Sequence, residues 1–311
     1  MALRPEIQAL IQARAAAGFP SPADVPIAEY RRWAQANPDI NGVMEEIDQV
    51  RDLFIVGPTS YLPLRIFRPH NSGNSEVKKS ALIYFHGGGW AASTVDHYNQ
   101  ALSCLANALD SVVIAVTYQK APEHPFPIPF NDCYATLEWV VENHEALAID
   151  LKRIGVGGDS AGGNLAAAVA LKARDTKLCT LAYQLLIYPC TEPIQDSPSV
   201  ERNGVGFGLT KAGMKWFEDA YIQDENQKNP YLWPAYASDH SNLPPAIIMT
   251  AYYDVLQDMG VRYATLLQNA GVKVVHKDFV EANHGCFIYG GISDYSRSIQ
   301  LDLAEEIKQF L

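Results

Sequence analysis

The sequence predicts an α/β fold: a mostly parallel, eight-stranded sheet with helices on both faces and a helical cap. Three observations carry this. Eight short apolar runs recur along the chain, helical patterns lie between most of them, and no internal repeat or low-complexity segment interrupts the alternation. With 311 residues, 48% of them hydrophobic, the chain can bury a sizeable core.

Taken in order, the first ~50 residues read as helical, jointed by PSPADVP at 20–26 and by Pro38. Leu3, Ile7, Leu10 and Ile11 recur at helical spacing but are interrupted by Arg, Glu and Gln. That is an amphipathic helix, whereas a signal peptide needs a continuous apolar centre. Runs at 50–56 and 62–67 suit an antiparallel strand pair, and a polar loop from His70 to Lys79 follows. The runs at 81–85, 112–116, 153–157, 183–188, 246–250 and 272–279 are short and rich in Val and Ile, as strands covered on both faces should be. Helical patterns fall at 97–109, 131–146, 161–174 and 258–270.

The interval 190–244 breaks the alternation. It holds a Gly-rich loop at 204–210 and then a helical pattern from Thr210, with Gly213, Trp216, Phe217, Ala220 and Tyr221 on one face. Together with the N-terminal helices this insertion suits a lid; the alternative is that its aromatic residues simply pack on the core. The expected division is therefore 1–50 as the first part of a cap, 51–189 with 245–311 as the core, and 190–244 as the second cap segment.

Composition narrows the function classes. A net charge of -11 and no cluster of Lys or Arg argue against a nucleic-acid partner. Five scattered cysteines without a C-x-x-C suit reduced thiols rather than a disulfide framework or a zinc site. No stretch approaches the roughly 20 apolar residues of a membrane span. The expectation is a cytoplasmic protein without stable membrane insertion.

The chemistry concentrates at GVGGDSAGGN, 155–164. An apolar strand precedes Ser160 and a run of helix formers follows it, so the serine sits on a sharp strand-to-helix turn. Glycine two residues before and after allows the backbone to close up, and the amide of Ala161 points from a helix N-terminus toward any negative charge beside the hydroxyl. The same pattern alone also suits a phosphate-binding turn or tight packing.

A serine nucleophile needs a base and an acid to orient it, here expected in the order Ser, Asp or Glu, His. Asp254 follows the strand at 246–250, and His284 ends the last strand run. Of eight histidines only His284 both follows the acid and ends a strand; Asp258 is the rival acid, four residues on and inside the next helix. A second glycine loop, His86 to Trp90, follows the strand at 81–85 and suits the other half of an oxyanion hole, in which Gly88 and Gly89 let backbone approach a bound carbonyl.

Through these motifs the chain resembles the hormone-sensitive lipase family of carboxylesterases, which carry the α/β-hydrolase fold. The marks are His86-Gly87-Gly88-Gly89-Trp90, Gly158-Asp159-Ser160-Ala161-Gly162-Gly163-Asn164 and APEHPFP at 121–127. The resemblance implies Ser160 as nucleophile, His284 as general base, Asp254 as its orienting acid, and the amides of Gly88, Gly89 and Ala161 as the oxyanion hole. His86, Gly87 and Asp159 would support these groups, and no metal or organic cofactor is implied. Departures surround the site: Gln119 and Lys120 stand where Arg-Leu is usual, altering a supporting ion pair near Glu123; Val255 and Met259 change the acid motif; and Cys286 replaces the usual Phe after His-Gly.

The expected function is hydrolysis of short- to medium-chain acyl esters through an acyl-enzyme, with a small-molecule ester as the partner. Two alternatives stand beside it, an amidase or peptidase with the same triad and a non-catalytic small-ligand-binding protein on the same scaffold. A homodimer through the last strand, at a sheet edge, is a further expectation.

Overall fold

In a computed structural model that describes residues 2–36, 38–70, 77–223 and 228–311, eight strands form one sheet. They are β1 (Gln49–Val56), β2 (Tyr61–Arg68), β3 (Lys79–Phe85), β4 (Val112–Val116), β5 (Ile149–Asp159), β6 (Tyr183–Ile187), β7 (Ala246–Tyr253) and β8 (Val274–Asn283). Their spatial order is β1-β2-β4-β3-β5-β6-β7-β8. β1 and β2 pair antiparallel, β2 joins β4 antiparallel, and every later pairing is parallel. β8 forms one edge, as the sequence predicts.

Parallel strands need crossovers, and the helices provide them on both faces. In chain order the α-helices are α1 (Pro5–Ala16), α2 (Ile27–Gln35), α3 (Asn99–Leu109), α4 (Ile128–Glu142), α5 (Ala161–Thr176), α6 (Pro198–Asn203), α7 (Lys211–Tyr221), α8 (Gln257–Asn269) and α9 (Asp294–Lys308). β3, β4 and β6 are buried along nearly their whole length, so side chains on both faces are covered. One core layer packs Ile83, Ile114, Val156 and Ile248 against α4, α5 and α8; the other packs Leu82, Val113, Leu185 and Ile247 against α3 and α9. Most of the polar loop expected from His70 to Lys79 lies outside the described residues.

The insertion differs in detail from the sequence reading. It contains α6, which six residues of sequence did not reveal, and the buried face of α7 is Gly213, Met214, Phe217, Glu218 and Tyr221. The stripe is thus turned by about one residue, leaving Trp216 and Ala220 half-buried at its border. The physical reason is Glu218, whose buried carboxylate accepts the half-buried amide of Ile194 and draws that face inward. Burial pushes this carboxyl up to about 7. All five cysteines are free thiols, and among the described residues no helix is long and apolar enough to cross a membrane.

Candidate active site

β5 ends at Asp159 and α5 begins at Ala161, which leaves Ser160 alone to make the turn. Its backbone has φ 57° and ψ -118°, a conformation that costs an L-residue energy and persists only where its surroundings impose it. What imposes it is close packing. A Cβ on Gly162 would strike the carbonyl of Phe85, so the first turn of α5 lies directly on the end of β3. The Ser160 amide donates to Ile187 at 2.8 Å, and the side chain emerges 7% exposed at the end of the sheet.

The other two groups arrive from β7 and β8. Asp254 follows β7, and His284 follows β8, so both stand at the carboxyl end of the parallel strands beside Ser160. His284 Nε2 lies 2.9 Å from Ser160 Oγ, and His284 Nδ1 lies 2.7 Å from Asp254 Oδ2. Asp254 is 1% exposed; its second oxygen accepts the Leu256 amide at 2.9 Å. The imidazole can therefore take a proton from the hydroxyl while the carboxylate holds its far nitrogen. The rival Asp258 points elsewhere: its carboxylate accepts the Ser199 amide of α6 at 2.8 Å.

Opposite the hydroxyl runs the loop from His86 to Trp90. Gly88 (φ +108°) and Gly89 (φ +60°) both need conformations that side chains disfavour, and a Cβ on Gly89 would collide with the Phe217 ring of α7. Among the described residues neither amide donates to a protein acceptor. The Ala161 amide, first in α5, has no intrahelical partner either. The three amides named from the sequence thus stand on the two loops that flank the hydroxyl, as free donors.

Asp159 ties those loops together. Its carboxylate is 3% exposed and accepts the Gly87 amide at 2.9 Å, the Tyr84 hydroxyl at 3.0 Å and the Tyr98 hydroxyl at 3.0 Å. Burial raises its pKa to about 6 despite these donors. His86 stacks on Tyr118, with ring centroids 4.3 Å apart, while Tyr118 donates to the His86 carbonyl at 2.8 Å. Burial drives the His86 pKa well down, so the ring is a neutral packing piece of the glycine loop.

Three supports were not visible in the sequence. Ser199 donates to the Val255 carbonyl at 3.0 Å, and Asn203 donates to the carbonyls of Tyr252 and Asp254, so α6 straps the loop that carries the acid. Tyr289 donates to the His284 carbonyl at 3.3 Å. Glu123 finds its cation in Arg31 of α2, which binds it through two nitrogens at 2.8 Å and also donates to the carbonyls of Ala91 and Ala121. Gln119 instead holds Asp132. The altered ion pair expected near Glu123 is therefore replaced from the N-terminal helices.

A cavity of about 450 Å³ opens over Ser160 and His284, a size usual for small-molecule sites. Its walls come from residues 11–41, from 206–217, and from the loops already described. They are mostly apolar, with Phe19, Tyr30, Met214 and Phe217 prominent.

Comparison with known proteins gives the family and the fold. A family described as having the alpha/beta hydrolase fold matches residues 82–288. Esterase LipI of Mycobacterium tuberculosis is 36% identical over 246 residues, covering 78% of this chain and 77% of that protein. Ethyl acetate hydrolase of Pseudomonas putida is 32% identical over 319 residues, covering both chains in full. The solved structure of an ester hydrolase from the metagenome of Lake Arreo superimposes with a TM-score of 0.93 at 33% identity, over 99% of this chain and 98% of that one.

Proposed function

The chain belongs to the alpha/beta hydrolase family, as a carboxylic ester hydrolase of the hormone-sensitive lipase type, and from that premise we propose how it works and on what. Ser160 attacks the ester carbonyl as His284 Nε2 takes its proton. The carbonyl oxygen becomes an oxyanion facing the amides of Gly88, Gly89 and Ala161. The protonated His284, steadied by Asp254, gives its proton to the leaving alcohol and leaves an acyl-serine. Water then repeats the cycle: His284 removes its proton, and the acid and free Ser160 are released.

The observation that carries this reading is the single imidazole bridging Ser160 Oγ and the buried Asp254 carboxylate. Short- to medium-chain acyl esters are the proposed substrates; the cavity volume of about 450 Å³ and the apolar side chains of Phe19, Tyr30, Met214 and Phe217 on its walls support this. An amide would need a poorer leaving group expelled. The test is a panel of p-nitrophenyl esters from acetate to palmitate on the wild type and on Ser160→Ala, with a matched amide beside it. Turnover should fall off toward palmitate, vanish in Ser160→Ala and be far slower on the amide. Equal turnover by the two proteins would remove the assignment.

A further inference from the structure

Arg14 lies in the last turn of α1, half-buried, on the wall of the cavity that holds Ser160 and His284. Its guanidinium carbon sits 5.3 Å from the centroid of the Phe19 ring and 5.9 Å from that of Tyr289. Tyr289 in turn donates to the His284 carbonyl, so only one aromatic side chain separates this cation from the histidine loop. Arg31, Arg65 and Arg262 each hold a carboxylate. Arg14 holds none among the described residues.

A guanidinium has five N–H donors in a planar fork and is the side chain best shaped for a carboxylate. The two rings offset part of the cost of withdrawing it from water but accept none of its in-plane N–H bonds. A cation in the last turn would satisfy the helix dipole from any face of α1, so the dipole does not explain why this one faces the cavity. Nor is there a competing anion at that end. Asp159 is the one carboxylate among the described lining residues, and Gly87, Tyr84 and Tyr98 already occupy it.

We propose that Arg14 is a specificity-determining residue, which receives a carboxylate carried by the ester several bonds from the scissile carbonyl. The preferred substrates are then half-esters of dicarboxylic acids, or esters of hydroxy acids, rather than neutral esters of equal length. The proposal rests on the esterase reading above and adds the charge of the substrate to it.

Two matched pairs test it by pH-stat near pH 8: ethyl hydrogen glutarate against ethyl valerate, and the acetate ester of γ-hydroxybutyrate against butyl acetate. In at least one pair the ratio of kcat/KM, anionic over neutral, should fall about tenfold in Arg14→Gln, while the neutral ester changes by less than about twofold. In the wild type the same ratio should fall as ionic strength rises from about 20 mM to about 500 mM, since the attraction is screened. Arg14→Lys, which keeps the charge without the fork, should retain an intermediate preference. The salt series needs no variant and keeps the test decisive if Arg14→Gln does not fold. Ratios that are identical in the two proteins, or indifferent to salt, overturn the proposal and leave the esterase reading standing. Failure of the wild type to hydrolyse the neutral esters would strike that reading instead.

Discussion

Asp254→Asn should lower kcat by two to four orders of magnitude without unfolding the protein. Both oxygens of Asp254 are in use, one accepting the Leu256 amide at 2.9 Å and the other facing His284 Nδ1 at 2.7 Å. A carboxylate accepts at both positions; a carboxamide accepts at only one. If the amide oxygen stays opposite Leu256, the new NH₂ faces Nδ1, which must then be the unprotonated nitrogen. Nε2 carries the proton, and the ring can no longer accept from Ser160.

The opposite flip restores the useful tautomer but sets two donors against each other at Leu256, in a position that water barely reaches. That orphaned amide costs about 1–3 kcal/mol. Loss of the carboxylate beside the imidazolium removes a charge-assisted hydrogen bond worth about 1.5–3 kcal/mol more. The sum, about 2.5–6 kcal/mol at 1.36 kcal/mol per tenfold, gives roughly two to four decades. Initial rates on p-nitrophenyl butyrate read kcat, and a thermal melt within a few degrees of wild type shows that the fold survives. A correctly folded variant losing less than about tenfold would refute the role given to Asp254, and the tautomer reasoning with it.

Asp159→Asn should change stability with a sign set by pH. Burial lifts the carboxyl from 3.8 to about 6, so the wild type keeps this contribution below the unfolded value and loses on the order of 3 kcal/mol as pH rises through 6. The neutral amide has no such term. The melting temperature of the variant relative to wild type should therefore be more favourable at pH 8 than at pH 4.5, and a flat or reversed difference would count against a strained buried charge. Gly89→Ala should cut kcat at least tenfold, because its Cβ meets the Phe217 ring and shifts an amide proposed to receive the oxyanion. Adding Phe217→Ala should return part of the loss, and an unimpaired single variant would show that the Gly89 amide is not needed. The edge strand β8 is proposed to pair with its copy in a homodimer; sedimentation finding only monomer across concentrations would dispose of this.

Legibility in the sequence followed the range of the interactions. The strands could be read because burial on both faces leaves runs such as Val112–Val116 with no polar break. Ser160, Asp254 and His284 could be read because strand ends are local signals and the parallel sheet gathers them at one rim. The supports could not. Ser199 meets Asp258 across 59 residues and Arg31 meets Glu123 across 92, and neither pair leaves a periodic trace. The inward turn of Glu218 was hidden for a related reason: apolar periodicity cannot register a carboxylate that is buried to satisfy the Ile194 amide.

These long-range supports make the insertion more than a cover. α6 holds the carbonyls of Tyr252, Asp254 and Val255, while α7 places Phe217 where any side chain on Gly89 would be. One segment thus fixes both the loop that carries Asp254 and the glycine loop proposed to receive the charge. Its link to the core combines the apolar packing of Val200, Tyr221 and Trp233 with a few polar bonds, each costly to leave half-made. Changes in α6 should therefore appear as loss of kcat even at residues that never line the cavity, such as Ser199. In α7 the residues facing the cavity, Met214 and Phe217, should chiefly alter which acyl groups fit.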